Sequence, residues 1–123
     1  MNQVSLKGVL SRCYVGESKK GVPYAFLSVS VDELDQKGNV IKNTIPCRIF
    51  GSSASVIKDV CTTNGVGMAT IAPDTLVEVK GKLVCKPSKK TDQDGNKIYE
   101  TFVQIEFIRK AVANNTAQTK GGF

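Results

Sequence analysis

A chain of 123 residues with a formal charge of +6 is long enough for one domain with its own core. The excess of 17 Lys and Arg over 11 Asp and Glu points to a polyanionic partner, either nucleic acid or an acidic membrane surface. The absence of histidine removes the commonest general base and metal ligand. The opening Met1-Asn2-Gln3-Val4-Ser5-Leu6-Lys7 alternates like a strand and has no apolar run behind basic residues. Neither a signal peptide nor a membrane span is expected, and the expected location is cytoplasmic.

Hydrophobic residues recur with period two along most of the chain, the signature of half-buried strands. A first strand is expected over residues 4–14, with Val4, Leu6 and Leu10 on one face. A second covers 24–32, where Ala25, Leu27, Val29 and Val31 alternate with Tyr24, Phe26, Ser28 and Ser30. The turn signal Gln36-Lys37-Gly38-Asn39 leads into a third strand over 40–50. There Ile45, Cys47 and Ile49 face the core while Thr44, Pro46, Arg48 and Phe50 face away. Residues 52–60 begin with serines able to cap and carry Val56, Ile57 and Val60 at helical spacing, which predicts a helix of two or three turns. The Gly-rich connector Asn64-Gly65-Val66-Gly67 follows, and Pro73-Asp74 introduces a fourth strand over 75–86. Asp92-Gln93-Asp94-Gly95-Asn96 reads as a hairpin tip, with the return strand over 97–109. Past Lys110 the periodicity stops, and 111–123 is expected to be a flexible tail.

Three strands, one helix and a long hairpin is the order of an oligonucleotide-binding (OB) fold. The expected class is therefore all-β, a five-stranded Greek-key OB barrel over 1–110 with one short helix between the third and fourth strands. The four cysteines, Cys13, Cys47, Cys61 and Cys85, include no C-x-x-C pair, so they read as small apolar fillers rather than zinc ligands or disulfides. No metal or cofactor is expected.

Four segments, in this order, are similar to the bacterial-type single-stranded DNA-binding protein family. They are Asn2-Gln3-Val4-Ser5-Leu6-Lys7-Gly8-Val9-Leu10, Ile49-Phe50-Gly51, Leu76-Val77-Glu78-Val79-Lys80-Gly81-Lys82-Leu83, and the hairpin from Thr91 to Thr101. The resemblance covers residues 2–109. It implies a homo-oligomer, dimer or tetramer, that coats and protects single-stranded DNA without sequence specificity in replication, recombination and repair. Replication or recombination proteins are the further partners it implies. The sequence departs from the family by holding Leu34, Thr44 and Lys90 where tryptophans are usual. Its connector over 61–73 is longer, and its tail carries no acid before the terminal Phe123. A compact, divergent member from a phage or other mobile element fits these departures.

Binding a single strand of any sequence needs cations for phosphates and flat rings for unstacked bases. Core parity on the third strand sends Arg48 and Phe50 outward together, a stacking-plus-phosphate pair, and the resemblance supports Phe50 as a stacking position. Tyr24 and Phe26 share the non-core face of the second strand. On the last strand, Tyr99 travels with Val103, Ile105 and Phe107 and is expected in the core or rim. Phe102 travels with Glu100, Gln104 and Glu106 on an acidic face suited to an oligomer contact. Lys80, Lys82 and Lys86 share one parity, Lys89, Lys90 and Lys97 line the following hairpin, and Lys7 and Arg12 add charge from the first strand. The acids gather elsewhere, over 32–35 and on the last strand.

An enzyme is not expected. Asp92 and Asp94 lack the bidentate Glu of a calcium loop, since position 103 is Val, and Ser52 and Ser53 have no histidine to activate them. The rival reading is an accessory or protein-interaction module of replication restart or recombination on the same barrel.

Overall fold

The computed structural model describes residues 1–111, so the expected tail lies outside the described residues apart from Ala111. The strands are β1 (Val4–Glu17), β2 (Pro23–Leu34), β3 (Val40–Phe50), a two-residue β4 (Gly67–Met68), β5 (Leu76–Thr91) and β6 (Lys97–Lys110). A 3-10 helix, Gly51–Asp59, joins β3 to the connector before β4.

β1 is long enough to serve two neighbours. Its first half pairs antiparallel with β5, from Val4↔Gly81 to Val9↔Leu76. Its second half pairs with β2, from Val9↔Ser30 to Glu17↔Pro23. β2 pairs with β3, and β5 with β6, as antiparallel hairpins. The ring closes where β3 meets β6 in parallel through two residue pairs, Cys47↔Val103 and Arg48↔Gln104. Five long strands thus form the expected closed barrel with the helix in the expected place. β4 is an addition inside the connector over 61–73, paired with β1 at Tyr14↔Met68 and Val15↔Gly67.

The period-two alternation finds its cause in the lumen. Leu10, Cys13, Ala25, Leu27, Val29, Cys47, Ile49, Val77, Val79, Val103, Ile105 and Ile108 are buried there. Each fully buried aliphatic side chain of this size contributes about 1.5–3 kcal/mol against exposure. The helix adds Ala54 and Ile57 to this core, its C-cap Val60 joins them, and it packs against β2, β3 and β6. It is 3-10 rather than α. Phe50, extended at φ −129 and ψ 153, stands at its N-cap without a side-chain oxygen to offer. The side chains of Ser52 and Ser53, expected to cap, lie outside the described ones. Among the described residues Thr75 is the buried polar one, and it is satisfied by donating its hydroxyl to the Ala72 carbonyl at 2.6 Å.

The register is interrupted between Leu10 and Arg12, at Lys80–Gly81 and, out on the β5–β6 arm, between Pro87 and Thr91; the first two invert the alternation within the barrel. The β1–β2 register skips a residue between Leu10 and Arg12, which places Ser11 in a bulge. Opposite Lys80–Gly81, β6 holds Glu106 as an extra residue. A bulge bends its strand and inverts the facing of every side chain beyond it.

Candidate nucleic-acid interface

The Ser11 bulge turns Arg12 and Tyr14 outward, although simple alternation from Leu10 would bury both. Directly opposed residues of neighbouring strands present their side chains on one face. One row therefore runs Met68, Tyr14, Phe26, Arg48, Gln104, Lys82 across β4, β1, β2, β3, β6 and β5. A second row is Gly16, Tyr24, Phe50, and a third is Arg12, Ser28, Pro46. Tyr14, Phe26, Phe50 and Met68 are 37%, 40%, 43% and 60% exposed, so rings and thioether face solvent side by side. The Tyr24 and Phe26 rings lie 5.1 Å apart at 33°. The Tyr24 ring covers Gly16, where any Cβ would run into it.

Arg48 stands at the centre. Its Nη1 and Nη2 donate to the two carboxylate oxygens of Glu100 at 3.0 and 2.8 Å. Its guanidinium carbon is 4.1 Å from the Phe102 ring centre and 4.8 Å from that of Phe26. Lys86 Nζ approaches Phe102 from 5.6 Å. A cation over a ring contributes about 0.5–1 kcal/mol where solvent reaches it. The Arg48 hydrogen bonds hold the Glu100 carboxyl below its usual range, with smaller help from Lys86 and Lys90.

The basic residues divide into two sets. Lys82 and Lys86 border the rings on β5, opposite Gln104 and Glu100. Lys89, Lys90 and Lys97 follow farther along the hairpin arm, and Arg12 closes the other side of the face; all are exposed. Lys7 and Lys80 are exposed on a different part of the barrel. Lys7 opposes Glu78, and Lys80 opposes Ser5 on β1 and Phe107 on β6. Glu78 there accepts from Arg109 at 2.7 Å.

Several expectations about β6 and the acids need correction. Tyr99 is 63% exposed, neither in the core nor on the rim, because its pair with Pro87 lies on the arm beyond the barrel. Phe102 does sit on the outer face, yet it is 3% exposed, because Arg48 and Lys86 cover it. Phe107 is 44% exposed because the Glu106 bulge turns it out. The acids are not segregated either, since Glu100 lies in the middle of the candidate face. Tyr14, Met68 and Glu100 are the members that alternation alone missed. A Tyr two residues after Arg on a strand with a Ser between apolar residues is the faint signal for the first.

Among the described residues no group of three or more His, Cys, Asp or Glu could hold a metal ion, and no helix is long and apolar enough to cross a membrane. No protein-family model and no curated protein matches the sequence. Among solved structures, the priB protein of Ralstonia solanacearum is similar at 18% identity and a TM-score of 0.56, over 90% of this chain and 99% of that one. A deletion mutant of the single-stranded DNA binding protein from Thermus aquaticus is similar at 24% identity and a TM-score of 0.63, over 94% of this chain. The likeness spans 52% of the Thermus protein, so this chain matches about half of it. At these identities the likeness is one of fold: the chain shares the five-stranded OB-fold barrel with priB and the Thermus protein.

Proposed function

We propose that this chain binds single-stranded DNA without sequence specificity, coating and protecting it in replication, recombination or repair. The observation that carries this reading is the cluster of exposed Tyr14, Phe26 and Phe50 with half-buried Tyr24 in two adjacent cross-strand rows, bordered by Lys82, Lys86 and Arg12. Every base has a π-face, so rings accept any sequence, at about 1–3 kcal/mol per stacked base. A duplex hides those faces, which favours single strands. The lysines of β5 and its arm, including Lys89, Lys90 and Lys97, supply phosphate contacts along the strand's path. Lys7 and Lys80 would meet a strand only if it continued around the barrel. The likeness in fold to a single-stranded DNA binding protein supports the same reading. Self-association into a dimer or tetramer belongs to the proposal as well.

One observation favours the accessory-module reading. Leu34 and Val40, directly opposed near the β2–β3 tip, are 71% and 66% exposed, an apolar pair suited to protein contact.

The test is fluorescence anisotropy with labelled poly-dT across a salt series, beside duplex DNA and single-stranded RNA, with Tyr14→Ala and Phe50→Ala in parallel. Tight binding to dT, weak binding to duplex and a loss of about 5- to 100-fold in each variant are expected. Equal, weak and wholly salt-sensitive binding to all three would leave the accessory module as the better reading.

A further inference from the structure

We infer that Arg48 serves this face as a positioning residue for the Phe26 ring, locked by Glu100, and that it contributes no phosphate contact. The inference rests on the single-strand-binding reading above and assigns a division of labour within that site.

A guanidinium has two flat faces and a fork of N–H donors. At Arg48 the paired terminal N–H groups of the fork go to both oxygens of Glu100, and two rings approach the carbon at 4.1 and 4.8 Å. Its side chain is 21% exposed, whereas Lys82, Lys86, Lys89 and Lys90 all stand open to solvent. A phosphate claiming this fork would have to expel a carboxylate that Lys86 and Lys90 also attract. Were the carboxylate to stay, two anions would share the space one occupies. The pair Arg48–Glu100 is electrically neutral and spans the junction between β3 and β6. It backs Phe26, which presents its exposed side to a base, and it seals Phe102 below. Electrostatic attraction is left to the lysines and Arg12.

The experiment replaces the neutral pair by another neutral pair, Arg48→Met with Glu100→Gln, and measures poly-dT affinity over a salt series. Glu100→Gln and Arg48→Lys are measured singly. A positioning role predicts that the double variant binds about five- to tenfold more weakly at every salt concentration, with the wild-type slope of log affinity against log salt. A phosphate contact predicts a slope shallower by about 0.7. Glu100→Gln, nearly isosteric and therefore expected to fold, should weaken binding at unchanged slope. If Glu100 merely masked a phosphate-binding arginine, that variant would instead bind more tightly with a steeper slope. Arg48→Lys keeps the charge but not the planar fork, so it should be as weak as the double variant; full rescue by lysine would overturn the inference. So would unchanged affinity in the double variant. Wild-type protein that fails to prefer dT over duplex would defeat the function reading itself, an outcome distinct from a slope change in the variants.

Discussion

Glu100 and Glu78 each sit against an arginine, and the hydrogen bonds from Arg48 and Arg109 hold their carboxyls below the ordinary value of 4.5. Because the folded-state value is the lower one, their contribution to stability is complete above the ordinary value and fades as pH falls through the folded value. The thiols behave in the opposite sense. Burial pushes Cys13 up to about 12, with Cys61 beside it adding to the shift, and pushes Cys47 up to about 11. A raised value means stability that is complete below the ordinary 9.0 and is lost as pH climbs toward those folded values. The urea midpoint should therefore be flat between about pH 5 and 9 and fall on both sides. The acid limb should be shallow, because both carboxylates are open to solvent and screening. Circular dichroism during urea titration reads this directly. In Glu100→Gln the acid limb should shrink; an unchanged limb would mean that Glu100 has no part in it.

The hairpins repeat a single device. Asp35-Gln36-Lys37-Gly38-Asn39 and Asp92-Gln93-Asp94-Gly95-Asn96 close in the same way. In each the Asp Oδ1 accepts two backbone N–H groups, from Lys37 and Asn39 in one and from Asp94 and Asn96 in the other. In each the Gly holds a positive φ, 84° at Gly38 and 80° at Gly95, and donates to the Asp carbonyl at 3.1 Å. Substituting alanine forces a Cβ into the left-handed region at a cost of about 1 kcal/mol. Gly38→Ala and Gly95→Ala should lose that much alike in urea unfolding. A far smaller loss at Gly95 would show the end of the β5–β6 arm opening independently of the barrel. These tips were legible in the sequence because few residues tolerate such a backbone. The strands were legible because one face of each must be buried. The bulges at Ser11 and Glu106 were not: nothing in composition announces one extra residue, yet each reverses the facing beyond it. That is why Tyr14 was missed and Phe107 misplaced.

Across the whole barrel, legibility declines with separation along the chain. Arg48 and Glu100 are joined only by the parallel closure of β3 on β6, and alternation carries no information about partners brought together from opposite ends of the molecule. The same closure has a consequence for motion. Where β1 meets β5 through six residue pairs, β3 meets β6 through two, so the ring has one thin seam. Backbone so sparsely paired should open locally more often than the rest, and its amides should exchange with deuterium sooner. Side chains compensate, since the Phe26–Arg48–Glu100–Phe102 cluster crosses the gap. A nucleic-acid strand lying from Tyr14 over Phe26 toward Lys82 would cross it too. Ligand should therefore slow exchange at Cys47, Arg48, Val103 and Gln104 more than along the β1–β5 ladder. Equal slowing everywhere would reflect only the general stabilisation any bound ligand brings. If the seam responds selectively, the barrel's weakest closure is what its ligand fastens.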